Sequence, residues 1–314
     1  FVQRSGRKVR SMGYRYDFDG YASPDLTVLA EHVTEGGGVT SMAYQQEPDL
    51  VLWAVRGDGA MLSCTLDRDQ SVIGWARHYT DGAFESVATI PNGDREETWA
   101  IVRRTVDGAE VRYLELIDEA FEPILPGAPF TGYPPGPEVT VYGFTVDCGT
   151  AFDDALGATV FAVPHLKGKT VDIVADGAVH PQKVVDASGN VTLDRPSYRT
   201  LIGLPFRSEI GLLTPELSTG MGTAQGNSMR VSEVTLRFLR TIGAKVYDGE
   251  GVEQKLLFRR FGAEALDVPP EPFTGLTRIE TLGWDRGKAE LTVVQDQPLP
   301  MHLLSVVRKL QVND

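Results

Sequence analysis

The sequence predicts an all-β chain: a partial β-propeller of blade-like repeats, then small β-sandwich or barrel modules, with one short helix near the N-terminus. Three observations predict it. Apolar residues alternate with polar ones, as Val234, Leu236 and Phe238 do with Glu233, Thr235 and Arg237, the pattern of a half-buried strand. Asp-Gly turns separate short apolar runs in a chain with 33 glycines and 19 prolines. A repeat of blade length runs through the first third, and no strand–helix–strand alternation follows it.

Phe1-Val2-Gln3 and Lys8-Val9-Arg10, joined by Arg4-Ser5-Gly6-Arg7, read as a hairpin already under way. The chain opens on Phe1 with no signal peptide before it, so it is expected to be the downstream part of a longer protein. Ser23 suits an N-cap, Pro24 the first helical position and Asp25 the positive end of a helix dipole. Leu26, Leu29 and Ala30 then recur at helical spacing with Glu31 and His32 turned outward, which predicts a short helix over 23–33. Glu35-Gly36-Gly37-Gly38 ends it.

From Val39 the pattern is that of strands, and it repeats. Ser41-Met42-Ala43-Tyr44 returns 45 residues later as Ser86-Val87-Ala88-Thr89. Leu52-Trp53-Ala54-Val55 returns 46 residues later as Thr98-Trp99-Ala100-Ile101. The turn Asp58-Gly59-Ala60 returns as Asp107-Gly108-Ala109, and each turn leads into a further strand, over 61–66 and 110–116. Asp-Gly between apolar runs marks a hairpin because both central positions favour positive φ. A unit of roughly 40 to 45 residues with about four strands has the period of a propeller blade. Two layers of a sandwich are the alternative.

Pro123, Pro126, Pro129, Pro134, Pro135 and Pro137, with Gly127, Gly132 and Gly136, mark a connector, since proline removes ladder donors and fixes φ. The expected organisation is a blade region over 1–122, a linker over 123–137, a small β module over 138–215 and a C-terminal β domain over 216–314. Within the module, strands are expected over 139–146 and 170–175, the latter turned by Asp176-Gly177. Val184-Val185, Ser188-Gly189-Asn190 and Val191-Thr192-Leu193 give a further hairpin-like element. In the last domain a glycine-rich loop over 218–228 precedes strands over 233–238, 255–258, 289–295 and 302–312.

Composition excludes several classes. Hydrophobic residues at 42% and charged ones at 23% suit a soluble protein with a real core. No window approaches the roughly 18 to 20 apolar residues of a membrane-spanning helix. The net charge is −13, from 30 Lys and Arg against 43 Asp and Glu, and this acid excess repels phosphate backbones. Cys64 and Cys148 are too few for a disulfide framework and lack zinc-ligand spacing, so a reducing compartment is expected.

Each candidate site meets a blander reading. Arg56-Gly57-Asp58 spells an adhesion tripeptide but falls at a hairpin tip. Asp17-Phe18-Asp19-Gly20 resembles the start of a calcium loop, yet position 28 is Val28 where a glutamate would be needed. Asp153-Asp154, Glu96-Glu97 and Asp67 with Asp69 could supply the carboxylate pair of glycoside cleavage, about 5 to 10 Å apart; solvated acidic turns are the default. His32, His78, His165, His180 and His302 never stand at metal-ligand spacing. There is no nucleophile elbow, P-loop or dinucleotide fingerprint. No helix start follows Gly220 to Gly226, so an anion cradle there fails. Trp53, Trp75, Trp99 and Trp284 could stack sugars, but the equivalent places of Trp53 and Trp99 in the repeat favour core packing. No catalytic, cofactor-binding or metal residue is assigned.

Several stretches carry a family resemblance. They include Asp25-Leu26-Thr27-Val28-Leu29-Ala30-Glu31-His32, Met42-Ala43-Tyr44-Gln45-Gln46, Leu52-Trp53-Ala54-Val55-Arg56-Gly57-Asp58-Gly59, Phe84-Glu85-Ser86-Val87-Ala88 and Val111-Arg112-Tyr113-Leu114-Glu115. Gly168-Lys169-Thr170-Val171, Ala175-Asp176-Gly177-Ala178-Val179-His180-Pro181, Gly203-Leu204-Pro205, Gly222-Thr223-Ala224-Gln225-Gly226 and Gln295-Asp296-Gln297-Pro298-Leu299-Pro300 continue it. The chain thereby resembles the C-terminal half of the tail nozzle proteins, tail tubular protein B-like, of short-tailed bacteriophages and prophages. These words span nearly the whole chain and are structural, not catalytic.

The resemblance implies a non-enzymatic virion component with a β-propeller and smaller β modules. It would assemble in the bacterial host cytoplasm and reside in the virion tail as a homo-oligomeric ring, a hexamer, below the adaptor ring. Its partners would be that adaptor and the tail fibres or tip proteins, with DNA passing transiently and unbound during ejection. Family members are about twice as long, so the remaining blades are expected to lie upstream, and two blades do not close a propeller. The alternative is a phage tail module that binds or hydrolyses host surface polysaccharide. A generic β-propeller scaffold is a third reading.

Overall fold

Among the described residues almost every regular element is an antiparallel strand, and the helical ones are single 3-10 turns. The computed structural model describes residues 1–118, 143–216, 227–258, 271–280 and 289–313, with the backbone of 218–219, 222–223 and 284–285. The chain divides into two compact units, Phe1–Ala120 and Phe121–Asp314. The fold class is all-β, and the described residues form several small antiparallel sheets without a closed barrel or propeller. Among them no helix is long and apolar enough to cross a membrane.

The first unit begins with the expected hairpin: Val2 bridges Val9, and Gln3 N donates to Lys8 O at 2.8 Å. A short hairpin of β1 (Gly13–Arg15) and β2 (Gly20–Ala22) follows. The helix expected over 23–33 is not an α-helix. Leu26 N donates to Val9 O at 2.9 Å and Asp25 bridges Arg10, so this stretch lies against the first hairpin. The Asp25 carboxylate accepts from Thr27 N and Oγ1 at 2.9 and 2.6 Å, and only Glu31–Thr34 winds one 3-10 turn. A helix this short has too few bonds to offset its nucleation, and strand contacts with burial of Leu26 and Val33 win.

Then come two meanders. The first is β3 (Val39–Gln45), β4 (Val51–Arg56), β5 (Met61–Asp67) and β6 (Val72–His78); the second is β7 (Ala83–Asn92), β8 (Arg95–Val106) and β9 (Ala109–Ile117). The sequence repeat is a repeat of register. Ser41 pairs Val55 and Ala43 pairs Trp53 in the first; Ser86 pairs Ile101 and Ala88 pairs Trp99 in the second. Each first strand carries its bulge at the same place, between Val39 and Ser41 and between Phe84 and Ser86. Asp107-Gly108 turns with both φ positive, at 51° and 76°. At Asp58-Gly59 only Gly59 is positive, at 88°, because this turn is one residue wider: Arg56 N reaches Ala60 O at 2.9 Å.

The second unit holds two groups of strands. β10 (Asp147–Ala162), β11 (Thr170–Ala175), β12 (Ala178–Val184) and β13 (Asn190–Leu204) form one sheet in the order β10-β13-β11-β12. Phe161, Leu166, Ile173 and Ile202 fill its core. The hairpin at Asp176-Gly177 has φ of 52° and 78°, as such a turn requires. Of the strand expected over 139–146, residues 139–142 lie outside the described residues, and 143–146 are irregular.

The remaining strands are β14 (Ser208–Leu212), the two-residue β15 (Ser218–Thr219) and β16 (Gly222–Thr223), β17 (Ser228–Thr241), β18 (Ala244–Asp248) and β19 (Glu253–Leu256). After them come β20 (Phe273–Glu280), β21 (Trp284–Asp285), β22 (Leu291–Gln295) and β23 (His302–Asn313). One sheet runs β14-β22-β18-β19; in the other β17 is flanked by β20 and β21 on one edge and β23 on the other. Val234, Leu236 and Phe238 from β17 meet Val246, Leu291 and Val293 from the facing sheet in one core. β14 pairs with β22. The proline-rich linker over 123–137 lies outside the described residues.

Candidate functional site

The first unit presents its most distinctive surface as a sheet face, and the register determines it. Side chains alternate across a strand. One face of the first meander therefore carries Met42, Leu52, Ala54, Leu62, Cys64, Leu66 and Trp75, covered by Val9, Leu26 and Val33. The other face carries Ala43, Trp53, Val55 and Met61, which pack against Phe84, Val87 and Ile117 of the second meander.

Polar ties fix this stacking. Gln45 Oε1 accepts from Trp53 Nε1 at 2.9 Å and from Thr98 Oγ1 at 3.3 Å, while its Nε2 donates to Glu47 O at 3.2 Å. Ser41 Oγ accepts from Val87 N at 3.4 Å. On the buried side of the second meander, Arg104 makes a two-pronged pair with Glu115, both arms 2.7 Å, and donates to Thr80 Oγ1 at 2.6 Å.

Among the described residues of the first unit, nothing covers the far face of the second meander. Ile90, Trp99, Ile101, Leu114 and Leu116 form an apolar stripe there, with Leu114 66% and Leu116 45% exposed. Trp99 Nε1 is held by Glu97 Oε2 at 3.0 Å. At one end Arg103 and Arg112 pair with Glu85 and Glu110. The arginines beside Glu85 hold its carboxyl below the usual range, chiefly through the Arg112 hydrogen bond. A contiguous exposed apolar surface with a charge-balanced rim is a contact surface in chemical terms, suited to burial against protein.

The residues weighed from sequence are scattered. Arg56 is buried, its guanidinium on Asp58 with Nη1 donating to Val33 O at 2.9 Å, so the adhesion tripeptide is locked into its turn. Asp19 accepts from the Tyr14 hydroxyl. Asp67 Oδ1 accepts from Asp69 N and Gln70 N at 3.0 and 2.9 Å, and Asp154 Oδ1 from Leu156 N at 2.9 Å, both turn contacts. Asp153 pairs with Arg199, and Glu96 accepts from Gln46 N.

His78 Nε2 lies 2.7 Å from Ser63 Oγ, and burial pushes its pKa below the ordinary value. No carboxylate pairs with it among the described residues, and the Trp53 ring packs 5.7 Å from it. His180 Nδ1 meets Pro181 O at 2.8 Å and Nε2 accepts from Asp194 N at 3.2 Å. Among the described residues no three His, Cys, Asp or Glu side chains gather as for a metal ion. A cleft of about 540 Å³ opens beside Met12, Met42, Tyr44, Leu52, Asp67 and Asp69, and of these two weighed carboxylates Asp67 is engaged in the turn through Asp69 N and Gln70 N. Trp53 packs against the core as expected, but Trp99, expected to do the same, stands on the open face because no second sheet packs there among the described residues of the first unit; Trp75 is partly buried against the other core, and Trp284 has no described side chain. Sequence reading missed this face, although the Ile101, Leu114 and Leu116 spacing signals it once strand pairing is known.

No protein-family model matches the chain, and no curated protein matches it either.

Proposed function

We propose that the chain is a structural component of a short bacteriophage tail, a nozzle protein that forms a homo-oligomeric ring of six around the DNA-ejection conduit. It sits below an adaptor ring, meets tail fibres or tip proteins, and reaches the virion tail after assembly in the host cytoplasm. The observation that carries this reading is the stacked, in-register repeat of small meanders ending in an uncovered apolar face. Such surfaces serve assembly, not turnover. The family resemblance supplies the identity of the assembly. The net charge of −13 suits a wall past which DNA slides without being held.

The test is the mass of the natural full-length protein in solution, alone and mixed with candidate adaptor proteins, by light scattering. A discrete ring in either case is the expected result. A protein that stays monomeric with every tail partner overturns the proposal, and a polysaccharide binding and cleavage screen then follows.

A further inference from the structure

Arg308 stands on β23 opposite the buried Val234 in register, on the side from which Val306 and Leu310 pack against the core. A strand position of this kind takes an apolar side chain. Arg308 is half-buried there, and its guanidinium reaches the ends of two strands in the facing sheet. Nη1 donates to Leu213 O at 3.1 Å, just past β14, and lies 3.5 Å from Ala289 O, just before β22. Burial lowers the pKa of this group, and no neighbouring charge offsets that.

The molecule uses this disposition twice more, each time with one further partner. Arg56 Nη1 donates to Val33 O at 2.9 Å, while Nε and Nη2 both meet the Asp58 carboxylate. Arg104 Nη1 donates to Thr80 Oγ1 at 2.6 Å and to Asp81 O at 3.1 Å, while Nε and Nη2 meet the two Glu115 oxygens at 2.7 Å each. In both, Nη1 ties the group to its surroundings and the Nε–Nη2 edge takes a carboxylate by two parallel bonds. At Arg308 the Nη1 side is the same, but no acceptor among the described residues meets the Nε–Nη2 edge. Neither nitrogen is a buried atom without a partner, so the edge opens to solvent.

We infer that the Nε–Nη2 edge of Arg308 is a binding site for a carboxylate, brought by a free organic acid or by an acidic side chain of a second copy of this chain. The planar fork of two parallel N–H donors matches the two oxygens of a carboxylate, and the charge strengthens both bonds. A guanidinium drawn partly out of water is stabilised most by an anion beside it. The contacts of Nη1 hold the fork in one orientation, so binding orders little that is not ordered already. With 43 Asp and Glu in the sequence, a second copy is rich in the ligand. The inference is independent of the nozzle reading.

The test is NMR of the full chain labelled with heavy nitrogen, reading the arginine Nε–H resonances at mildly acidic pH and constant ionic strength. Sodium acetate is the probe for a free acid, with chloride and inorganic phosphate as comparisons. Acetate is expected to move the Arg308 Nε–H saturably toward the position of Arg104, whose own resonance stays in place because its edge is already taken. The backbone amide of Val234 should follow in the parent chain and stay still in Arg308→Lys, which keeps the charge and loses the fork. A shift of the same kind that grows with protein concentration in the absence of acetate, and is lost in Arg308→Lys, supports the site with a second copy as the source. An Arg308 resonance that responds to neither acetate nor protein concentration overturns the inference, as does an equal response to chloride. Saturation by phosphate at lower concentration than acetate overturns the choice of carboxylate. An Arg308 resonance already at the Arg104 position in dilute, acetate-free protein overturns it as well, since the carboxylate then comes from the chain itself.

Discussion

Trp53 and Trp99 stand at the same register position in successive sheets, each facing an alanine across the strand pair, Ala43 for one and Ala88 for the other. Their surroundings differ. Trp53 packs between sheets with its indole N–H on Gln45, whereas Trp99 lies on an open face with its indole N–H on Glu97. Trp53→Ala should therefore lose about 3 kcal/mol or more, the usual loss for a packed aromatic. Trp99→Ala should change the stability of the chain alone by under about 1 kcal/mol, as surface changes do. Urea unfolding of the two variants side by side checks the difference, and equal losses would contradict the assignment of faces.

Gln45→Leu should destabilise by about 1–3 kcal/mol, because it leaves the Trp53 N–H and the Thr98 hydroxyl without their shared acceptor. Gln45→Glu keeps an acceptor at that place and should lose less at low pH than at neutral pH, where a charge would be buried. Denaturant midpoints at both pH values read this directly.

The Arg104 side chain is 1% exposed and its partner Glu115 19% exposed. Arg104→Met should cost about 3–5 kcal/mol, since it strands a partly buried carboxylate. Adding Glu115→Leu should recover much of that loss, because the penalty resides in the orphaned charge. A double-mutant cycle measures the coupling, and simple additivity would remove the ion pair from the account.

Burial raises the Cys64 thiol to about 11. At pH 8 only about one thiol in a thousand is then ionised, and the thiolate is the reactive form. In the native protein Cys148, which is only partly buried, should react first with a disulfide reagent. A Cys148→Ser chain should stay unreactive until denaturant is added. Prompt labelling of that variant would show that the core over Cys64 opens.

Burial also lowers the pKa of His78 from its free value of 6.5. As pH falls below 6.5 the unfolded chain takes up the proton first, so stability is full above that value and declines as pH falls toward and through the folded pKa. Stability should therefore drop between pH 7 and pH 5, and His78→Gln should flatten that part of the profile. An unchanged slope in the variant would assign the dependence elsewhere.

Local pattern was enough for the strands that alternate cleanly. Val234, Leu236 and Phe238 are each fully buried, and the turns at Asp107-Gly108 and Asp176-Gly177 have the backbone that their residues favour. It failed where tertiary contacts outweigh propensity. Ser23 to Val33 has helix signals, yet Leu26 and Asp25 pair with the first hairpin. β10 and β20 were missed because neither is a clean run: β10 carries Asp153, Asp154 and Gly157 through an irregular pairing, and β20 buries Ile279 alone among exposed or half-buried neighbours.

By itself the sequence determined the all-β class, the 45-residue repeat and the equivalence of Trp53 with Trp99, because period-two burial and Asp-Gly turns act over a few residues. Only the tertiary structure decided which face of each meander is covered. That depends on which sheet stacks on which, a choice made by contacts dozens of residues apart, such as those of Gln45 with Thr98 and Val33 with Leu62. The open face bearing Leu114 is the result, since an apolar side chain in a strand reads the same whether or not a neighbour arrives to bury it.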